Sequence, residues 1–212
     1  MKVFRKDIFV TALLIVVFIF LAGIFLGSKF DTFRVDRASE MLADSRLDIE
    51  SYEVQSQFYD SFMSGVCETK QQSFENLARS LAKMGQLLVS LDEMKLIGTD
   101  SYEQLRRNYF LTSIRAYLLK KDLITRCGDS GDVILYFYNT EDNDESLKQG
   151  YVIDDLVNKF DVNVFSIDAN FNDDAIKAVL GYYKIEEIPA VVVNFGKVKQ
   201  GFASVGELRS ML

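Results

Sequence analysis

The sequence predicts an α/β C-terminal domain on a mixed sheet, preceded by an N-terminal transmembrane helix and an α-helical hairpin or coiled-coil-like region. Three observations carry that expectation. An uncharged run, IFVTALLIVVFIFLAGIFL, extends from Ile8 to Leu26. From Asp31 to Arg126 apolar residues recur at three- and four-residue steps with no proline, which is helical spacing. After Gly131 the pattern turns into short β-branched and aromatic runs separated by helical stretches, as in a sheet covered by helices. The expected domains are an anchor over residues 1–30, a helical stalk or hairpin over 31–128 and an α/β domain over 132–212.

Composition narrows the chemistry. The 212 residues include no histidine and only two cysteines, Cys67 and Cys127. The usual zinc, copper and haem sites, and the Ser-His-Asp and Cys-His constellations, cannot be assembled from such a set. No cofactor and no metal are expected. A net charge of -7, with no basic stripe interleaved with aromatics, argues against a nucleic-acid partner. The charge is uneven: +3 over residues 1–30, -3 over 31–131 and -7 over 132–212.

As a helix the run from Ile8 to Leu26 would extend roughly 28 Å, close to the bilayer's hydrocarbon core of about 30 Å. A cleaved signal peptide would have an apolar core of about 7 to 15 residues and a small-residue cleavage site. The run is longer, and Gly27-Ser28-Lys29-Phe30 matches such a site poorly. The expectation is therefore an uncleaved single-pass anchor in a cell membrane, with the lipid bilayer as one partner. Lys2, Arg5 and Lys6 lie closer to the run than Lys29, Arg34 and Arg37. That places the N-terminus in the cytoplasm and residues 28–212 on the extracytoplasmic side.

Three helical stretches follow. In the first, Ala38, Leu42, Ile49, Tyr52, Tyr59 and Met63 share a heptad seam interrupted by Ser45 and Ser56. In the second, Phe74, Leu77, Leu81, Met84, Leu88 and Leu91 fill a and d positions without a gap. In the third, Leu105, Leu111, Ile114, Tyr117 and Leu118 make a wider apolar face. Ile97-Gly98-Thr99-Asp100-Ser101 separates the last two, with Gly as a C-cap and Asp or Ser as an N-cap. Two readings of the seams stand open: packing within one chain, or a surface that forms a homo-oligomer or docks a protein partner.

If the second and third stretches form an antiparallel hairpin, the residue midway between the cysteines is Ile97, in the turn. Cys67 and Cys127 then face each other across the open end. A disulfide there would close a loop of roughly 60 residues, worth about 4 kcal/mol of chain entropy, and such bonds persist outside the cytosol. Two unrelated buried thiols or a redox-active pair are the other readings. The Cys-x-x-Cys spacing that lowers a thiol pKa is missing.

After the turn-rich Gly128-Asp129-Ser130-Gly131, the expected elements are a strand over 132–139, a helix over 147–160 and a strand over 162–167. A helix over about 173–183, strands over 190–195 and 198–202, and a short helix from Ser204 complete the order β-α-β-α-β-β-α. That order, together with KIEEIPAVVVNFGKVKQGF from Lys184 to Phe202, resembles the thioredoxin superfamily. The resemblance covers residues 132–212. It implies that Pro189, the only proline, is a cis proline at the start of the third strand. It also implies that Ile188, Pro189 and Ala190 border a groove where an extended peptide pairs as an added strand.

In that family a Cys-x-x-Cys motif opens the helix after the first strand, where helix polarity stabilises a thiolate. Here Asn139 to Leu156 reads NTEDNDESLKQGYVIDDL. Matching Gln149-Gly150 to the Gln-Gly that shortly follows the motif places the cysteine positions at Asn143 and Ser146. Asparagine cannot be the attacking thiolate, and a serine hydroxyl without a base is a poor nucleophile. The family's dithiol activity is therefore not expected. Glu141, Asp142, Asp144 and Glu145 form an acidic loop without EF-hand spacing, which reads as solvated. The functional expectation is a non-catalytic protein-binding or scaffolding subunit. The alternative is a thiol-disulfide oxidoreductase in which Cys67 and Cys127 carry out the exchange.

Overall fold

The computed structural model describes residues 10–24, 67–93, 97–140 and 144–212. The chain divides into two units, Met1–Arg46 and Leu47–Leu212. In the first, the described residues form one helix, α1, over 10–24. Its 15 described residues, at about 1.5 Å each, account for roughly 22 Å of helix. No helix among the described residues is long and apolar enough to cross a membrane. This overturns the expected transmembrane anchor, and with it the single-pass topology and the cytoplasmic and extracytoplasmic placement. Residues 8, 9, 25 and 26 of the uncharged run lie outside the described residues, as does the whole first heptad seam from Ala38 to Met63.

In the second unit, helices α2 (Cys67–Glu93) and α3 (Asp100–Cys127) form an antiparallel hairpin. Thr99 is the N-cap of α3, its hydroxyl accepting from the Tyr102 N–H at 3.3 Å. Asp100 and Ser101, expected as caps, begin the helix itself. Gly128 closes α3 in the left-handed region, at a φ of 69°, where a side chain would be strained. Cys67 and Cys127 are joined by a disulfide at the open end, with Cα atoms 5.5 Å apart. One turn inward, Lys70 and Asp122 pair at 2.6 Å.

The seam of α2 is filled from within the chain: Phe74, Leu77, Met84 and Leu91 are buried, and Leu81 and Leu88 are half-buried. In α3 burial runs well beyond one stripe. Leu105, Phe110, Ala116, Tyr117, Leu119 and Leu123 are all buried because the helix packs on α2 and on the sheet, with a smaller contact to α5. Leu118, expected on the apolar face, is 56% exposed.

The sheet has the order β2-β1-β3-β4, from β1 (Asp132–Tyr138), β2 (Val162–Asp168), β3 (Ala190–Val193) and β4 (Lys197–Gln200). β1 pairs parallel with β2, from Asp132 opposite Val162 to Tyr138 opposite Asp168. It pairs antiparallel with β3, from Ile134 opposite Val193 to Phe137 opposite Ala190, and β3 pairs antiparallel with β4. Helices α4 (Asp144–Val157), α5 (Asp174–Tyr183) and α6 (Val205–Met211) complete the unit.

Side-chain alternation divides the core into two layers. Val133, Leu135 and Phe137 point to the face covered by α2, α3 and α5. Ile134 and Tyr136 point to the other face, with Ile153 and Leu156 of α4 and Leu208 of α6. Because both faces are covered, β1 reads as one continuous apolar run. β3 stops at Val193, short of the expected Phe195, because Asn194 and Phe195 take φ of 48° and 64° in a tight turn. The Asn194 side chain then ties that turn to β1: its Oδ1 accepts from the Val133 N–H at 2.9 Å and its Nδ2 donates to Asp132 at 2.8 Å. The Ile188–Pro189 peptide is cis, as the resemblance implies.

Candidate functional site

Beyond the C-terminal ends of the parallel strands β1 and β2 lies a cleft of about 1020 Å³. Such ends are a common place for ligands in α/β sheets, since the strands stop there and the following loops leave a crevice. One wall is the tip of the helical hairpin, with Asp92, Ile97, Tyr102, Glu103 and Arg106. The opposite wall is α4, with Asp144, Ser146, Leu147, Gly150, Tyr151 and Asp154. Tyr136, Tyr138 and Ser166 form the floor. Leu147 and Tyr151 are 60% and 65% exposed on the α4 side, one turn apart, an aromatic and aliphatic ledge facing solvent.

Among the described residues, the cation of this cleft, Arg106, is already engaged. Arg106 Nη2 donates to Asp168 Oδ2 at 2.6 Å, and Nη1 donates to Glu103 at 3.2 Å. Asp168 also accepts from the Thr140 hydroxyl at 3.2 Å and the Asn170 N–H at 2.9 Å. The guanidinium lies over the rings of Phe171, at 5.2 Å, and of Tyr102 and Phe110, both at 5.8 Å. Asp92 on the same wall, and Asp144 and Asp154 on the opposite one, are exposed and make no ion pair among the described residues. Among its described residues the cleft is therefore lined by tyrosines and carries three carboxylates without an ion pair.

Burial keeps the phenols of Tyr102, Tyr136 and Tyr138 protonated at physiological pH. Burial pushes Tyr136 up to about 12, against the opposing effect of its hydrogen bond to Ser146. Burial also raises Tyr138, with the Asp168 carboxylate adding to the effect. Tyr102 is raised by burial, with Arg106 pulling the other way. Groups in this state donate hydrogen bonds and present aromatic faces, and they do not supply a phenolate nucleophile.

Ser146 is only 5% exposed. Its hydroxyl accepts from the Asn139 N–H at 3.1 Å, and its carbonyl accepts from the Tyr136 hydroxyl. The side chain thus joins the end of β1 to the first turn of α4. Asn143, Glu141 and Asp142 lie outside the described residues. Gln149 is buried, its Oε1 accepting from the Ala203 N–H at 2.6 Å, which ties α4 to the segment before α6.

Pro189 and Ala190 are buried and Ile188 is half-buried against the core, so none of the three lines the cleft. Cys67 and Cys127 lie at the opposite end of the hairpin from Ile97 and Tyr102, about 40 Å away along helices of 27 and 28 residues. Arg106 and Asp168 were not singled out from the sequence. They are 62 positions apart and meet only because α3 crosses the end of β2.

No known protein family matches this chain, and no curated protein does. Among solved structures, one described as "Structure of a malarial protein" is similar at 16% identity and a TM-score of 0.33, covering 39% of this chain and 93% of that one. A likeness of that size assigns neither fold nor function.

Proposed function

We propose that this chain is a non-catalytic protein-binding module whose C-terminal domain is thioredoxin-like without dithiol chemistry, and that its cleft receives a basic segment of a partner protein. The observation that carries the reading is the cleft itself, in which Asp92, Asp144 and Asp154 have no ion-pair partner among the described residues and lie around exposed Tyr151 and Leu147. A lysine or arginine side chain matches it twice. Its charge meets the carboxylates, and its stem and head pack on aromatic faces. The element order over 132–212, the mixed sheet and the place of Pro189 before β3 support the thioredoxin-like part. Ser146 is used to hold α4 on β1, and both cysteines of the chain are bonded to each other far from the cleft. That geometry favours binding over thiol-disulfide exchange.

Calorimetric titration of the full chain with lysine-rich, neutral and acidic peptides tests the reading. Basic peptides should bind, and should bind more weakly as salt screens the carboxylates. Equal binding of acidic peptides, or no binding of basic ones, would refute it.

A further inference from the structure

The two edges of the sheet are built differently. β4 is four residues long and carries Lys197 and Lys199, features that discourage another strand from pairing. β2 is seven residues, VNVFSID, with no proline and no charged side chain before Asp168, and its register with β1 is unbroken. Two hydrogen bonds that flank the ladder fix its phase: Asp132 N–H to the Asp161 carbonyl, and Ala169 N–H to the Tyr138 carbonyl. In a parallel pair with that phase, the main-chain groups of Asn163, Phe165 and Ile167 face β1, and those of Val164 and Ser166 point away from it. No described residue pairs with the outward main-chain groups of Val164 and Ser166. Ser166 also forms part of the cleft floor, so the open edge runs into the acidic cleft.

We infer that β2 accepts an extended basic segment of a partner protein as an added strand, held by the main chain of Val164 and Ser166, with lysine or arginine side chains entering the cleft. This rests on the binding role proposed above and names how the segment is held. Main-chain hydrogen bonds supply affinity in such pairing, and alternate side chains supply specificity. Every second residue of the added strand turns toward the α4 side, the side that carries Tyr151, Asp154 and Asp144. Charge selects the occupant. A second copy of this chain, with a net charge of -7, would bring its own acidic cleft against this one. A basic segment meets complementary charge.

The test uses the full chain and a synthetic peptide of alternating lysine and valine, beside the same peptide N-methylated at alternate backbone positions. The unmodified peptide should bind and slow amide hydrogen exchange at Val164 and Ser166. The methylated one should bind about tenfold more weakly, the loss expected from one or two main-chain hydrogen bonds. Val164→Pro removes an outward N–H at an edge, where proline is tolerated, and should weaken binding comparably with the circular dichroism spectrum unchanged. Should that variant misfold, the methylated peptide still decides. Equal binding of both peptides, combined with weaker binding to Asp154→Asn, would overturn strand addition and leave the cleft reading standing. Failure of both peptides to bind would overturn strand addition and the cleft reading together. Concentration-dependent dimers that protect the same two amides would replace the basic partner with a second copy.

Discussion

Arg106 of α3 closes a 2.6 Å ion pair with Asp168, the last residue of β2, and so clamps the helical hairpin to the strand end that borders the cleft. Asp168 is 1% exposed, whereas Arg106 keeps Glu103 as a second partner. The two halves of the pair are therefore unequal. Arg106→Ala strands a buried carboxylate with only the Thr140 hydroxyl and the Asn170 N–H, and should cost about 3 to 5 kcal/mol. Asp168→Asn leaves a neutral group in the same place and an arginine still paired, and should cost less. Urea denaturation of the two variants checks the order, and equal losses would mean that the pair is not the clamp.

The disulfide holds the other end of the hairpin. Cys67 and Cys127 are 60 positions apart, so the bond shortens the unfolded chain's reach over the whole of α2 and α3. Replacing both with serine should lower stability by about 4 kcal/mol. The cleft, at the far end, should keep its affinity for basic peptides in the fraction that remains folded. Loss of binding in a fully folded double variant would show that the cysteines act on the cleft.

How far the sequence reveals this architecture depends on whether a feature is local. Strand β1 and the hairpin turn are legible because period and punctuation reside in neighbouring residues. The facing cysteines follow as well, since an antiparallel hairpin brings together residues equidistant from its turn. α3 is misread as one-faced because its second buried face exists only once the sheet packs beneath it, covering Phe110, Leu119 and Leu123. The uncharged run from Ile8 to Leu26 reads as a membrane span from hydropathy and length alone, whereas no helix among the described residues is long and apolar enough to cross a membrane. The cleft is not legible at all. Its lining comes from α2, α3, α4, β1 and β2, and no spacing within one element announces it.

Alkaline and acid limits follow from the titrating groups. Tyr136 is raised to about 12, and Tyr109, Tyr117 and Tyr138 are also raised, chiefly by burial. The unfolded chain therefore gives up these protons first, near pH 10. Their contribution is complete below pH 10 and is lost as pH climbs through 12 and beyond. At the acid end, burial alone would raise Asp129 and Asp173, but it is outweighed for Asp129 by Lys120, and for Asp173 by the Ala175 N–H and Arg107. Both carboxylates are lowered, so their stabilisation is present above their ordinary value of 3.8 and fades as pH falls below it. The melting temperature should therefore be nearly flat between these limits and drop outside them. A steep decline already at pH 8 would contradict the assignment of the buried phenols.

Ser146 allows a structural role to be told from a part in binding. If its hydroxyl serves to bind the Asn139 N–H and fix the first turn of α4 to β1, Ser146→Ala should lower stability by about 1 kcal/mol, the ordinary worth of one such hydrogen bond. Affinity for basic peptides should change little, because the ledge of Leu147 and Tyr151 and the carboxylates of Asp144 and Asp154 remain. Ser146→Cys keeps the size of the site but offers a weaker acceptor, so it should fall between alanine and the native chain in stability. Thermal denaturation and peptide titration of both variants decide the matter. A stable Ser146→Ala chain that no longer binds peptide would move Ser146 from the scaffold into the binding surface.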